Sequence, residues 1–129
     1  MAKAKILIVE DDEPTIKLFQ EVFSMAGFEI EVLNLGQKAI ERLKEIREGK
    51  KEKSDLILLD LILPDINGIE VLKEVRKYPE TKNLKIYALT NYSSTEFNEE
   101  LNKEGIDKIL VKAQYSLNEL IEIIKHGLK

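Results

Sequence analysis

The chain has 129 residues, 43% of them apolar and 34% charged, with a formal net charge of −4; it is long enough to bury roughly two-thirds of its surface as one domain, 1–129, and too acidic to suggest a direct nucleic-acid binder. Cysteine is absent and His126 is the single histidine, which excludes disulfides, thiolate metal sites and multi-histidine metal sites. No run approaches the roughly 18 apolar residues of a membrane span, and the first apolar run is too short for a signal-peptide core, so a cytoplasmic location without membrane contact is expected.

Apolar runs alternate with segments of helical period, the pattern of βαβ units and a parallel sheet. A first strand is expected at about 5–10, followed by a helix at about 14–26 that opens with Pro14 and closes at Gly27. Its apolar set, Ile16, Phe19, Val22, Phe23 and Ala26, repeats at the helical period. A second strand is expected at about 29–33, and Asn34 with Gln37 has the spacing of a capping box for helix two. The charged stretch 48–53 reads as a solvated loop, strand three as about 55–59, and the Leu63–Gly68 segment as turn chemistry leading into a helix at about 69–77. Strand four is placed at about 85–90, and helix four at about 94–104 with Ser93 and Glu96 as its box. Strand five follows at about 107–112, and helix five at about 116–127 with Ser116 and Glu119 as a third box.

The chemistry lies at the ends of the strands. Ile6–Val9 runs into Glu10, Asp11 and Asp12; Leu56–Leu59 runs into Asp60; Ile109–Val111 runs into Lys112; and strand four closes on Thr90. Continuous apolar runs are strands buried on both faces, and open parallel sheets bind ligands outside the carboxyl ends of their strands. Carboxylates gathered there oppose one another's ionisation unless a cation joins them. The arrangement therefore asks for a divalent metal and an anionic ligand. Any one acidic strand end could instead cap a helix; Asp12 is read as such a cap or bystander, Asp65 as a turn residue, His126 as a surface residue, and Phe19, Phe23 and Phe28 as core.

With Glu10–Asp11 after strand one, Asp60 followed by Pro64 and Gly68, Thr90 after strand four and Lys112 after strand five, the chain resembles the receiver domains of two-component response regulators over essentially its whole length. That resemblance implies a flavodoxin-like, doubly wound α/β fold with a five-stranded parallel sheet in the order 2-1-3-4-5 and five helices. It implies that Asp60 is a phosphoacceptor served by a sensor histidine kinase or a histidine phosphotransfer protein. Mg2+ (or Mn2+) is then held by Asp11 and Asp60 directly, by Glu10 through water and by the backbone carbonyl of Ile62. Lys112 pairs with Asp60 at rest and with the phosphoryl oxygens afterwards, while Thr90 bonds a phosphoryl oxygen and turns its presence into movement. The signal leaves through a helix four–strand five–helix five face that meets a downstream protein partner. On this reading the chain is not an enzyme beyond accepting and slowly losing its own phosphoryl group.

Three positions depart from the family pattern. Ala113 follows Lys112 where the family usually has a cis proline; a cis bond before alanine costs about 3 kcal/mol, so a trans or strained loop is expected. Ile109 stands where many receivers carry a switching aromatic, with Tyr87, Tyr92 and Tyr115 as available substitutes. Asn91 follows Thr90 where a smaller residue is common, which would narrow access to the phosphoryl group. Ala113 and Ile109 motivate an alternative, a pseudo-receiver that binds partners without being phosphorylated. A phosphatase with an aspartate nucleophile would need an acidic residue two positions after Asp60 as general acid, and that residue is Ile62. No GxxxxGK[ST] phosphate loop is present.

Overall fold

A computed structural model describes residues 3–91 and 94–129. The elements alternate as β1 (Lys5–Val9), α1 (Glu13–Met25), β2 (Glu29–Leu33), α2 (Gly36–Arg47), β3 (Leu56–Asp60), α3 (Gly68–Lys77), β4 (Ile86–Thr90), α4 (Thr95–Lys103), β5 (Lys108–Val111) and α5 (Leu117–Gly127). All strand pairs are parallel, in the order β2-β1-β3-β4-β5, which is the flavodoxin-like order expected. β3 and β4 are buried along their full length, whereas the edge strands β2 and β5 are half-buried.

Alternation along each strand separates two cores. Leu7, Val9, Ile57, Leu59, Ile86 and Ala88 point to the side covered by Ala39 and Leu43 of α2, Leu72 and Val75 of α3, and Leu101 of α4. Ile6, Ile8, Leu56, Leu58, Tyr87 and Leu89 point to the opposite side, under Phe19 and Phe23 of α1 and Leu120, Ile121 and Ile124 of α5. Phe23 is fully enclosed, with Phe19 stacked 5.2 Å away and Phe28 edge-on at 6.0 Å. The three phenylalanines are therefore core, as the apolar period suggests.

The helix starts show which caps are local. Asp12 caps α1 by accepting the Thr15 N–H, and Ser116 and Glu119 form a reciprocal capping box on α5. The expected Asn34–Gln37 box does not form. α2 starts one residue later than that spacing requires, its N-cap is Leu35, and the Leu35 side chain has no oxygen to offer. α4 is capped by Ser94, which accepts the Phe97 N–H; Ser93 lies outside the described residues, so the cap sits one position later than the spacing implied. Two strands also end earlier than expected. β1 ends at Val9, leaving Glu10 just past the sheet, and β5 ends at Val111, placing Lys112 at the start of a 3-10 turn, Lys112–Gln114.

Candidate functional site

The register brings the strand-end residues into one row. Val9 pairs with Leu59, Asp60 with Leu89, and Thr90 with Val111. Glu10 is thus level with Asp60, and Lys112 follows one step past Thr90. Glu10, Asp60 and Thr90 are buried, with 2%, 9% and 1% of their surface exposed, while Asp11 is exposed. The buried Glu10 and Asp60 charges therefore answer mainly to their immediate neighbours, while Asp11 stays in contact with water.

Among the described residues, Glu10, Asp11 and Asp60 can each bring one carboxylate oxygen within 4.8 Å of the others. The Lys112 ammonium lies 2.7 Å from Glu10 Oε1 and 3.4 Å from Asp60 Oδ2. The other Glu10 oxygen accepts the backbone N–H groups of Asp11 and Asp12 at 3.1 and 3.2 Å, and Asp60 Oδ1 accepts the Ile62 N–H at 3.2 Å. The Asp60 carboxyl is pushed up to about 6: burial contributes most, the adjacent Glu10 carboxylate adds to it, and Lys112 with the Ile62 N–H opposes it. For Lys112, burial favours the neutral amine, but Glu10 and Asp60 together outweigh it and raise its pKa. One ammonium thus faces a cluster of three carboxylates. A cluster of hard oxygen donors with surplus negative charge is the donor set that suits a small divalent cation.

The structure brings together Glu10, Asp11, Asp60, Thr90 and Lys112 and places Ile62 beside them, its residue 65% exposed at the rim. Asp12 stands apart as the α1 cap, and His126 is exposed on the last turn of α5. No cis peptide occurs among the described residues, so the bond before Ala113 is trans. Tyr92 lies outside the described residues. Tyr87 and Tyr115 belong to the core under α1 and α5, whereas Ile109 packs on the other side of the sheet, where the partly buried aromatic is Phe97 of α4. Neither tyrosine can therefore stand in for an aromatic at Ile109. Phe97 was missed because its position relative to β5 depends on how α4 docks, which its own sequence does not encode.

Asp65 also does more than make a turn. Its Oδ1 accepts the Gly36 N–H at 2.9 Å and its Oδ2 the Gln37 N–H at 2.8 Å, so it supplies the cap that Leu35 cannot. No local spacing could have revealed this, because the partners are 29 and 28 residues apart.

Comparison with known proteins agrees with this geometry. The sequence matches the response regulator receiver domain across residues 6–125. It is 30% identical over 120 residues to the polar-differentiation response regulator DivK of Brucella anthropi, covering 93% of this chain and 92% of that protein. The phosphorylated cyanobacterial phytochrome response regulator RcpA superimposes with a TM-score of 0.82 at 28% identity, over 98% of this chain and 91% of that one. The Mn2+-bound response regulator Rcp1 does so with a TM-score of 0.80 at 28% identity, over 95% and 90% of the two chains. The chain therefore belongs to the response regulator receiver domains of two-component signalling.

Proposed function

We infer that the protein is an active phosphoacceptor receiver, with Asp60 as the acceptor. The observation that carries this reading is the set of three carboxylates within reach of one another at the sheet edge, with the Lys112 ammonium between Glu10 and Asp60. An Asp60 oxygen attacks the phosphorus of a phosphohistidine on a sensor histidine kinase or phosphotransfer protein. The P–N bond breaks as the P–O bond of the acyl phosphate forms, and the imidazole leaves with the bonding pair. Transfer of this kind depends on positioning and on neutralising charge rather than on acid–base chemistry. Lys112, next to Asp60 Oδ2, is placed to meet the incoming phosphoryl oxygens, and the Ile62 N–H holds the other Asp60 oxygen in place. The buried Thr90 at the end of β4 is the group we assign to sense the phosphoryl group and pass its arrival toward the α4–β5–α5 face, where a downstream protein would bind.

Glu10, Asp11, Asp60 and the Ile62 carbonyl are the groups that would hold Mg2+ or Mn2+, and the oxygen-only donor set fits such an ion. When bound there, the ion offsets negative charge on the carboxylates and the phosphoryl group. The Mn2+-bound state of the relative Rcp1 supports this assignment.

Intact mass after incubation with acetyl phosphate, with and without Mg2+, tests the reading in the wild type and in Asp60→Asn. A single phosphoryl adduct that needs both Mg2+ and Asp60 is expected. An unmodified but folded wild type would make the chain a pseudo-receiver that works by contact alone.

A further inference from the structure

We propose that Asp65 is a positioning residue, which clamps the loop after the phosphoacceptor to the start of α2 and thereby holds the Ile62 side of the site in register with Asp60. The inference rests on the receiver reading above but concerns a residue outside the reacting groups.

The loop leaves β3 at Asp60 and enters α3 at Gly68. Its two ends are tied to each other: the Gly68 N–H donates to the Leu61 carbonyl at 2.8 Å and Ile62 bridges to Asn67, while Asn67 caps α3 by accepting the Ile69 N–H at 3.1 Å. The outer arc, with Asp65 at its tip, has a different anchor. Both Asp65 oxygens are engaged by the first two amides of α2, one each. These bonds hold the Asp65 carboxyl below the usual carboxylate range, with Gln37 contributing most and Gly36 assisting. Beside the clamp, Gly36 leaves room for the loop's own side chains: a Cβ there would lie 2.4 Å from Ile66 Cγ1 and 3.2 Å from Leu63 Cδ1.

The clamp closes a ring of contacts in which Glu10 and Asp60 are both members. The Glu10 N–H donates to the Leu33 carbonyl at 3.1 Å, tying the end of β1 to the end of β2. Three residues later Gly36 and Gln37 bind Asp65, and three residues before Asp65 lies Ile62, whose N–H holds Asp60 Oδ1. Opening the ring at Asp65 leaves every candidate ligand chemically intact but leaves the peptide that carries the Ile62 N–H and carbonyl held only by Asp60 and by the bridge to Asn67, without the outer anchor on α2. Groups that orient a metal site without touching the ion typically change its affinity by 10–100-fold when removed.

A helix cap and a loop clamp can be separated, because Leu35 has the extended backbone an N-cap requires, φ −136° and ψ 144°. Asp65→Ala removes both functions; Leu35→Ser with Asp65→Ala returns a cap to α2 from within but leaves the loop untied. The full chain is compared as wild type, single and double variant by thermal unfolding, by Mn2+ titration calorimetry and by hydrogen exchange at the Ile62 amide in metal-free protein. The single variant should melt earlier and the double variant should recover. Both should bind Mn2+ roughly tenfold more weakly and exchange the Ile62 amide faster than wild type. Wild-type Mn2+ affinity and wild-type exchange in the double variant would overturn the clamp and leave Asp65 as a helix cap. A folded wild type that binds no Mn2+ would instead count against the receiver reading, and the exchange data would then decide the clamp by themselves.

Discussion

The Lys112 ammonium is closer to Glu10, at 2.7 Å, than to Asp60, at 3.4 Å. The expected pairing with Asp60 at rest is present, and the lysine also pairs, more closely, with the more deeply buried Glu10 carboxylate. Without Lys112, two buried carboxylates would face each other with no cation between them. Lys112→Met should therefore cost about 3 kcal/mol in urea unfolding at pH 7.5 without metal, near the lower end for breaking a buried ion pair because Lys112 keeps some contact with solvent. Added Mg2+ should return part of that loss by binding the folded state. A cost near zero would mean that the two carboxylates share a proton and never needed the ammonium.

Asp60 makes the metal-free fold sensitive to pH. Its carboxyl is held at about 6 in the folded chain, against an ordinary value of 3.8. The folded state therefore holds that proton more tightly than the unfolded state. The stability linked to it is fully present below about pH 4 and is lost as pH rises through about 6. Asp60→Asn removes the ionisation altogether. It should be more stable than the metal-free wild type by about 1–2 kcal/mol at pH 7.5, and the gap should shrink to about a third of that by pH 4.5. Urea unfolding at the two pH values measures it; a gap that grows on acidification would reverse the sign assigned to Asp60.

Most of this fold is written in local runs. Leu56–Leu59 and Ile6–Val9 are apolar at every position because their strands are covered on both faces, and that same continuity points to the sheet edge where Glu10 and Asp60 emerge. Ser116 and Glu119 form their capping box because both partners lie within one helical turn. What escaped depends on distance along the chain. Asp65 caps a helix that begins 29 residues before it, so the Asn34–Gln37 spacing looked like a cap while the true one stood in another loop. The preference of Lys112 for Glu10 is likewise set by where the turn after β5 places the lysine, 102 residues from its partner.

The α5 capping box offers a check on local energetics away from the site. The Ser116 side chain accepts the Glu119 N–H at 3.1 Å while the Glu119 carboxylate accepts the Ser116 N–H at 2.9 Å. Ser116→Ala removes half of this exchange and should lower stability by about 1 kcal/mol, with Mg2+ affinity and acetyl phosphate labelling unchanged. A change in labelling would show that the position of α5 reaches Lys112 through the Lys112–Gln114 turn.

Two glycines near the site should respond unequally to the same added methyl group. At Gly68 a Cβ would stand 2.6 Å from both the Asp60 carbonyl oxygen and Leu61 Cα. These are backbone atoms of the acceptor strand, and they can yield only by moving Asp60 itself. Gly68→Ala should therefore cost about 3 kcal/mol and sharply reduce labelling by acetyl phosphate in the protein that remains folded. At Gly36 the obstruction is side chain rather than backbone, Ile66 Cγ1 at 2.4 Å and Cδ1 at 2.7 Å with Leu63 Cδ1 at 3.2 Å; the half-buried, β-branched Ile66 must turn about χ1 to make room, a cost that the helix preference of alanine over glycine, about 1 kcal/mol, offsets in part. Gly36→Ala should cost about 1 kcal/mol, less than Gly68→Ala, and leave labelling within about twofold of wild type, because both amides that bind Asp65 remain. Thermal unfolding and mass spectrometry on the two variants side by side decide the matter. Equal damage at both would mean that Ile66 is as immovable as the strand, and that the β3–α3 loop is held by packing at Gly36 as firmly as by its junction with Asp60.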